Sequence, residues 1–268
     1  MHRLIDPALR LALGKDSCAL VMMAKVPRIG TVKTRLTPLL NDEQAATLSR
    51  CFIRDMAANI GGLTRDRRLI GVVAYTPAGE ESAFVGLLPS QFHLLTQRGA
   101  DLGERLSHAA EDLFAAGFGA VCLINSDSPT LPQSILSQAA AELRFSGERI
   151  VLGEASDGGY YLIGLKKPLP HLFHRIDWST PRVSAQTAAR AEVIKVNITR
   201  LPTWYDVDDW PSLQMLFREL LKPNGPSSQG PASGYRAPFT SRFLRRLAVE
   251  NRTVGQLLAE MLPELRVN

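Results

Sequence analysis

Cys18-Ala19-Leu20-Val21-Met22-Met23-Ala24-Lys25-Val26-Pro27-Arg28-Ile29-Gly30-Thr31-Val32-Lys33-Thr34-Arg35-Leu36 decides how the rest of the chain is read. Its apolar first part, Cys18–Ala24, predicts a buried strand, and a helical pattern opens at Asn41. Between the two, Lys25, Arg28, Lys33 and Arg35 surround Pro27 and Gly30. A loop leaving a buried strand with four cations suits an anionic ligand. Lys offers a point charge, Arg grips two oxygens, and Gly30 lets the backbone come close. A solvated basic turn has the same composition. The position after a strand favours phosphate, as in the nucleotide loops of α/β folds. The loop contains neither G-x-x-x-x-G-K-[ST] nor G-x-G-x-x-G, so it is not a Walker or dinucleotide loop.

Working outward, Asp42–Ile60 sets Ala45, Leu48, Phe52, Met56 and Ile60 at helical spacing and meets Gly61-Gly62, a stop signal. Further strands are expected at Leu69–Tyr75, Phe92–Thr96, Ala120–Asn125, Ile150–Leu152, Tyr160–Leu165 and Val193–Val196. Helices are expected at Asp101–Phe118, Pro132–Phe145, Thr187–Ala191 and Pro211–Leu221. This rhythm implies an α/β fold, a mostly parallel sheet with helices on both faces. The Pro/Gly/Ser-rich run after Leu221 reads as a linker over 222–238. The expected organisation is an N-terminal segment 1–17, a catalytic unit 18–221, the linker, and a helical tail 239–268. Within the tail, Arg242, Arg245 and Arg246 beside Phe243 and Leu244 suit self-association or a partner.

Composition narrows the function. Of 268 residues 45% are hydrophobic, enough for a full core. A net charge of +5 is mild for this length, and there is no zinc pattern, RNA-binding aromatic motif or long Lys/Arg run. A small anionic ligand accounts for the charge better than nucleic acid does. No apolar run reaches the length of a membrane span, and Asp6, Pro7, Arg10, Lys15 and Asp16 interrupt any signal-peptide core. A cytoplasmic location is expected. Cys18, Cys51 and Cys122 share no metal or redox spacing and read as reduced packing residues. The lack of G-x-S-x-G argues against a serine hydrolase.

Four places could carry chemistry. Asp127 follows the apolar strand Ala120–Ile124, where ligands of open α/β sheets bind. A carboxylate there can hold Mg²⁺ or Mn²⁺ together with substrate phosphates, or can simply cap a turn. Asp206 and Asp208 face one way on an extended segment and could approach one ion, while Asp209 is suited to cap the helix beginning near Pro211. Asp157-Gly158-Gly159-Tyr160 joins an acid, a flexible turn and an aromatic, and equally marks a hairpin. Gly99-Ala100-Asp101-Leu102-Gly103 opens a helix whose free N–H groups suit polar ligand edges, although Asp101 with Glu104 also forms a capping box.

Taken together, A-K-x-P-x-x-G-x-V-K-T-R-L (Ala24–Leu36), G-A-D-L-G-E-R-L (Gly99–Leu106), D-S-P (Asp127–Pro129), D-G-G-Y-Y-L-I-G (Asp157–Gly164) and D-V-D (Asp206–Asp208) resemble a GT-A-fold family. It is the glycosyltransferase-like group of radical-SAM/selenodomain-associated transferases, within the nucleotide-diphospho-sugar transferase superfamily. More distantly the opening loop is similar to that of phospholactate guanylyltransferases. The resemblance spans about Cys18 to Leu221 and not the tail. It implies a GT-A-like, Rossmann-like fold and a nucleotide donor, with Lys25, Gly30, Lys33 and Arg35 at the phosphates. Gly99, Asp101 and Gly103 would lie near base or ribose, Asp157, Gly158, Gly159 and Tyr160 on the acceptor side, and Asp127 and Asp208, with Asp206, at a Mg²⁺ or Mn²⁺ ion. Lys33, Asp127 and Asp157 are the candidate catalytic residues. The glycine-rich entry loop of sugar nucleotidyltransferases is missing, as is D-x-D at the first metal position. The expected activity is nucleotidyl transfer from a nucleoside triphosphate to a small phosphorylated acceptor. The alternatives are glycosyl transfer from a nucleotide sugar and nucleotide binding without turnover.

Overall fold

The apolar run at Cys18 forms β2 (Cys18–Lys25), whose alternation feeds two cores at once. Cys18, Leu20, Met22 and Ala24 enter one buried cluster; Ala19 and Val21 enter another on the opposite face. The computed structural model describes residues 2–37, 39–221 and 233–261, and among them eight strands make one sheet. Their spatial order is β1 (Arg3–Leu4), β4 (His93–Thr96), β3 (Leu69–Thr76), β2, β5 (Ala120–Asn125), β7 (Tyr160–Leu165), β6 (Arg149–Ala155), β8 (Asn197–Trp204). β7 runs antiparallel to β5 and β6, and the other pairings are parallel. The α/β sheet implied by the alternating elements is therefore present.

Helices α1 (Asp42–Leu63) and α3 (Gln133–Glu142) cover one face with Ile53, Met56, Ile60, Ile135, Leu136 and Ala139. Helix α2 (Leu102–Ala115) covers the other through Leu106, Ala109, Ala110 and Leu113, joined there by Ala191 of α4 (Val183–Val193). Burial on both faces explains why β2 and β5 are apolar throughout. A third buried cluster stands apart from the sheet. It gathers Leu36 and Leu40, then Leu48 and Phe52 of α1, Val207, and the apolar stripe of α5 (Trp210–Leu221). Helices α6 (Pro238–Glu250) and α7 (Arg252–Met261) complete it with Phe243, Leu244, Leu247, Val254 and Leu258. The expected linker falls largely outside the described residues, as 222–232. At the other end of the chain, Ile5 is buried and its N–H donates to Leu94 O at 2.8 Å, docking β1 at the sheet edge.

Two local expectations need correction. Gly61-Gly62 does not stop α1, which continues to Leu63 and is capped at Thr64. These glycines serve close packing: a Cβ on Gly61 would lie 3.3 Å from Pro89, and one on Gly62 2.5 Å from Gln133. The strand read at Val193–Val196 lies further on, at Asn197–Trp204, because α4 runs to Val193 and Lys195 turns the chain with φ 57°. Among the described residues no helix is long and apolar enough to cross a membrane.

Candidate active site

Parallel strands send their carboxyl ends to one side of the sheet, and here β2 and β5 end at the floor of a cleft of about 580 Å³. The basic loop closes one wall and Asp127 stands at the end of β5. Lys33 adopts a left-handed backbone conformation (φ 52°, ψ 35°), unusual for a side chain with a Cβ, which turns its ammonium inward. Its Nζ lies 2.5 Å from Asp127 Oδ1 and donates to Asp208 Oδ1 at 3.0 Å and to Val207 O at 2.6 Å. Only 5% of the Lys33 side chain is exposed, and the Phe52 ring centroid lies 5.2 Å from Nζ. Burial works against the charge, but facing Asp127 and Asp208 outweighs it and holds the ammonium above its ordinary pKa. Two acids distant in sequence thus converge on one cation-sized point.

The segment carrying Asp206 and Asp208 is fixed from both ends. Val207 is buried and its N–H donates to Asp127 O at 2.8 Å. Asp209 caps α5, accepting from Ser212 N at 3.0 Å, as its position suggested. Burial, then Asp157, Asp208 and Asp127, push the Asp206 carboxyl up to about 7. Asp157 ends the β6–β7 hairpin and accepts from Gly159 N at 2.9 Å, so the hairpin reading holds alongside a place on the cleft wall.

Of the candidate residues, the fold brings Lys25, Lys33, Arg35, Asp127, Asp157, Gly159, Tyr160, Asp206 and Asp208 onto this wall. Gly30, Gly99, Asp101, Gly103 and Gly158 lie off it for local reasons. Asp101 caps α2 by accepting from Glu104 N at 2.9 Å, while Glu104 reaches Ala100 N. Gly103 sits beneath Trp178, whose Nε1 would be 2.7 Å from an added Cβ. Gly158 (φ 90°) lets the hairpin close on the Pro181 backbone, and Gly30 (φ 76°) shapes the outer turn. From the Gly99–Arg105 segment it is Leu102 and Arg105 that face the cleft.

Sequence reading overlooked Gln97 and Trp178-Ser179-Thr180-Pro181, which also line the cleft. Gln97 Nε2 straps the ends of β3 and β2, donating to Ala74 O at 2.6 Å and Ala24 O at 3.3 Å. Trp178 meets Tyr160 edge-on with centroids 6.3 Å apart. No strand precedes Trp178; its signal was an aromatic followed by two hydroxyls and a proline.

Asp127 and Asp208 carry the hard oxygen donors a divalent ion takes, but their Oδ1 atoms meet on the Lys33 ammonium, so an ion would have to use their other oxygens beside it. Among the described residues no three His, Cys, Asp or Glu side chains converge to hold an ion unaided, so water and substrate oxygens would complete the shell.

A family model described as "Uncharacterized protein conserved in bacteria (DUF2064)" matches residues 62–180, taking in Asp127, Asp157 and Trp178 but neither Lys33 nor Asp208. No curated protein matches the chain. A crystal structure from Desulfovibrio desulfuricans G20, provisionally named a nucleotide-diphospho-sugar transferase, is 31% identical over 89% of this chain and 97% of its own, with TM-score 0.73. The chain belongs to the same family as this protein. Its fold is accordingly the GT-A-like one that the motifs implied. A 4-diphosphocytidyl-2C-methyl-D-erythritol synthase from Anaerococcus prevotii DSM 20548 shares that fold at 7% identity, over 78% of this chain and 97% of its own, with TM-score 0.50.

Proposed function

We propose that this family member is a Mg²⁺- or Mn²⁺-dependent nucleotidyltransferase that joins a nucleoside monophosphate unit to a small phosphorylated acceptor. One observation carries the reading: a cationic loop and two convergent carboxylates meet at the strand ends, the equipment for a triphosphate. An acceptor phosphate oxygen would attack the α-phosphorus, the bond from that phosphorus to the bridging oxygen would break, and pyrophosphate would leave with that oxygen. Arg35 and Lys25 are suited to hold the phosphates in line and to stabilise charge growing on the leaving group, while Lys33, whose three donors go to Asp127, Asp208 and Val207 O, would neutralise those acids beside them. An ionised acceptor phosphate needs no base. That requirement agrees with Asp157, whose carboxylate is engaged within its own turn. A divalent ion, when bound at Asp127 and Asp208, would supply further neutralisation of the phosphates. Trp178, Tyr160 and Thr180 are suited to the acceptor side.

One feature favours glycosyl transfer as a second reading. Asp206 is a cleft carboxylate with its pKa pushed up to about 7, where a general base for an acceptor hydroxyl works best. Product analysis decides between the two. Incubation of candidate phosphorylated acceptors with the four ribonucleoside triphosphates and Mg²⁺ is expected to release pyrophosphate, with Asp157→Asn reducing turnover only modestly. Release of a nucleoside diphosphate from a nucleotide sugar, abolished in Asp206→Asn, would establish the second reading instead. Tight nucleotide binding with neither product would leave a nucleotide-binding protein without turnover.

A further inference from the structure

The third buried cluster raises a question that the cleft does not answer: why a pair of C-terminal helices packs beneath the phosphate-side loop. Asn251, between α6 and α7, makes the closest connection. Its Nδ2 donates to Leu39 O at 3.0 Å and to Gln44 Oε1 at 3.1 Å, while its Oδ1 accepts from Val254 N at 3.1 Å and caps α7. The same Gln44 Oε1 accepts from Asn41 N at 3.1 Å, and Asn41 Oδ1 accepts from Gln44 N at 2.8 Å, the capping box that starts α1. From Leu39 the chain of bonds continues inward. Leu39 N donates to Leu36 O at 2.9 Å, and Leu36 N donates to Lys33 O at 2.9 Å. Three hydrogen bonds therefore join Asn251 to the backbone of Lys33.

Lys33 needs such support. A left-handed conformation persists in a residue with a Cβ only when its surroundings hold it. On the ammonium side Asp127, Asp208 and Val207 O do so. On the backbone side the turn Thr34–Leu36 is anchored by Leu36 and Leu40, buried in one cluster with Leu244, Leu247 and Val254. Phe52, beneath the Lys33 ammonium, belongs to that cluster too. The far end of α6 is pinned independently, where Asp55 accepts from Phe239 N at 3.1 Å and Thr240 N at 2.7 Å.

We propose that α6 and α7 are a positioning element for Lys33, with Asn251 the positioning residue that ties the loop to the tail. The proposal rests on the reading of this loop as the triphosphate site. Asn251→Asp tests it, because the carboxylate keeps the cap on Val254 N, removes the donor to Leu39 O and Gln44, and sets a charge against those two oxygens. Asn251→Ser keeps a capping oxygen without adding charge and must behave alike. Both variants are expected to melt within a few degrees of the wild type. Deuterium uptake at the amides of Leu36, Leu39 and Leu40 should accelerate. The dissociation constants for the Mg²⁺ complexes of ATP, GTP, CTP and UTP, for those that bind, should rise about three- to tenfold, part of the two lost hydrogen bonds being felt at the loop. The corresponding nucleosides should bind as before, a split that general loosening of the fold would not produce. Unchanged uptake in the loop, or equal losses for nucleoside and triphosphate, would overturn the proposal. If the wild type binds none of the four triphosphates, the nucleotide reading falls by itself, and loop uptake still decides whether Asn251 is a tether.

Discussion

Lys33 is the residue on which the cleft turns. It uses its ammonium against Asp127, Asp208 and Val207 O, so replacing it removes a cation and leaves two carboxylates facing each other. Lys33→Ala is expected to weaken triphosphate binding by about 1.5–3 kcal/mol, the usual range for hydrogen bonds to charged groups, with nucleoside binding unchanged in calorimetry. Equal losses for both ligands would instead mark a damaged fold. Both halves of this ion pair were legible separately: the cation from its place after a strand, the acid from its place at the end of another. Their contact was not, because nothing in local spacing brings Lys33 to Asp127 or reveals that Lys33 is left-handed. Trp178 escaped for a related reason. It projects from a loop without hydrophobic periodicity, and its proximity to Tyr160 and Gly103 exists only after folding.

At the level of elements, strands covered on both faces were easily read, since burial made them apolar throughout. β8 was not: among its residues only Leu201 is buried, and Pro202 breaks any strand signature at this sheet edge. The junction of α1 with α6 was equally hidden, because its key residue is a buried acid in an apolar helix face. Burial pushes the Asp55 carboxyl from 3.8 up to about 6, against the hydrogen bonds it accepts from Thr240 and Phe239. The folded protein therefore holds this proton more tightly than the unfolded chain. Stability from this group is fully present below about pH 4 and is lost as pH rises through about 6, a swing of about 3 kcal/mol for some two pKa units. Asp55→Asn, which keeps an acceptor without the charge, is expected to flatten that part of the urea-derived stability profile. A slope like that of the wild type would show that Asp55 does not titrate there.

Across the whole molecule, the two sheet cores and the third cluster differ in how the chain builds them. The sheet cores draw on Ile5 through Leu201, whereas the third cluster joins Leu36 to Leu258. Read from sequence, residues 18–221 look self-sufficient, since a Pro/Gly/Ser-rich stretch follows. Truncation after Leu221 would nevertheless strip Phe243, Leu244, Leu247, Val254 and Leu258 from that cluster. At about 1.5–3 kcal/mol for each buried side chain the loss rivals the whole stability of a typical domain, about 5–15 kcal/mol. The truncated chain is expected to bind a hydrophobic dye and to aggregate on gel filtration. A monomeric, dye-negative product with full triphosphate affinity would refute this. The arrangement also has a consequence for biosynthesis. Helix α7 leaves the ribosome only after every strand of the sheet, and at about 5–20 residues per second it lags β8 by several seconds. During that interval a nascent chain would display the acids and cations of the cleft on a finished sheet, while the turn holding Lys33 still waited for its anchor.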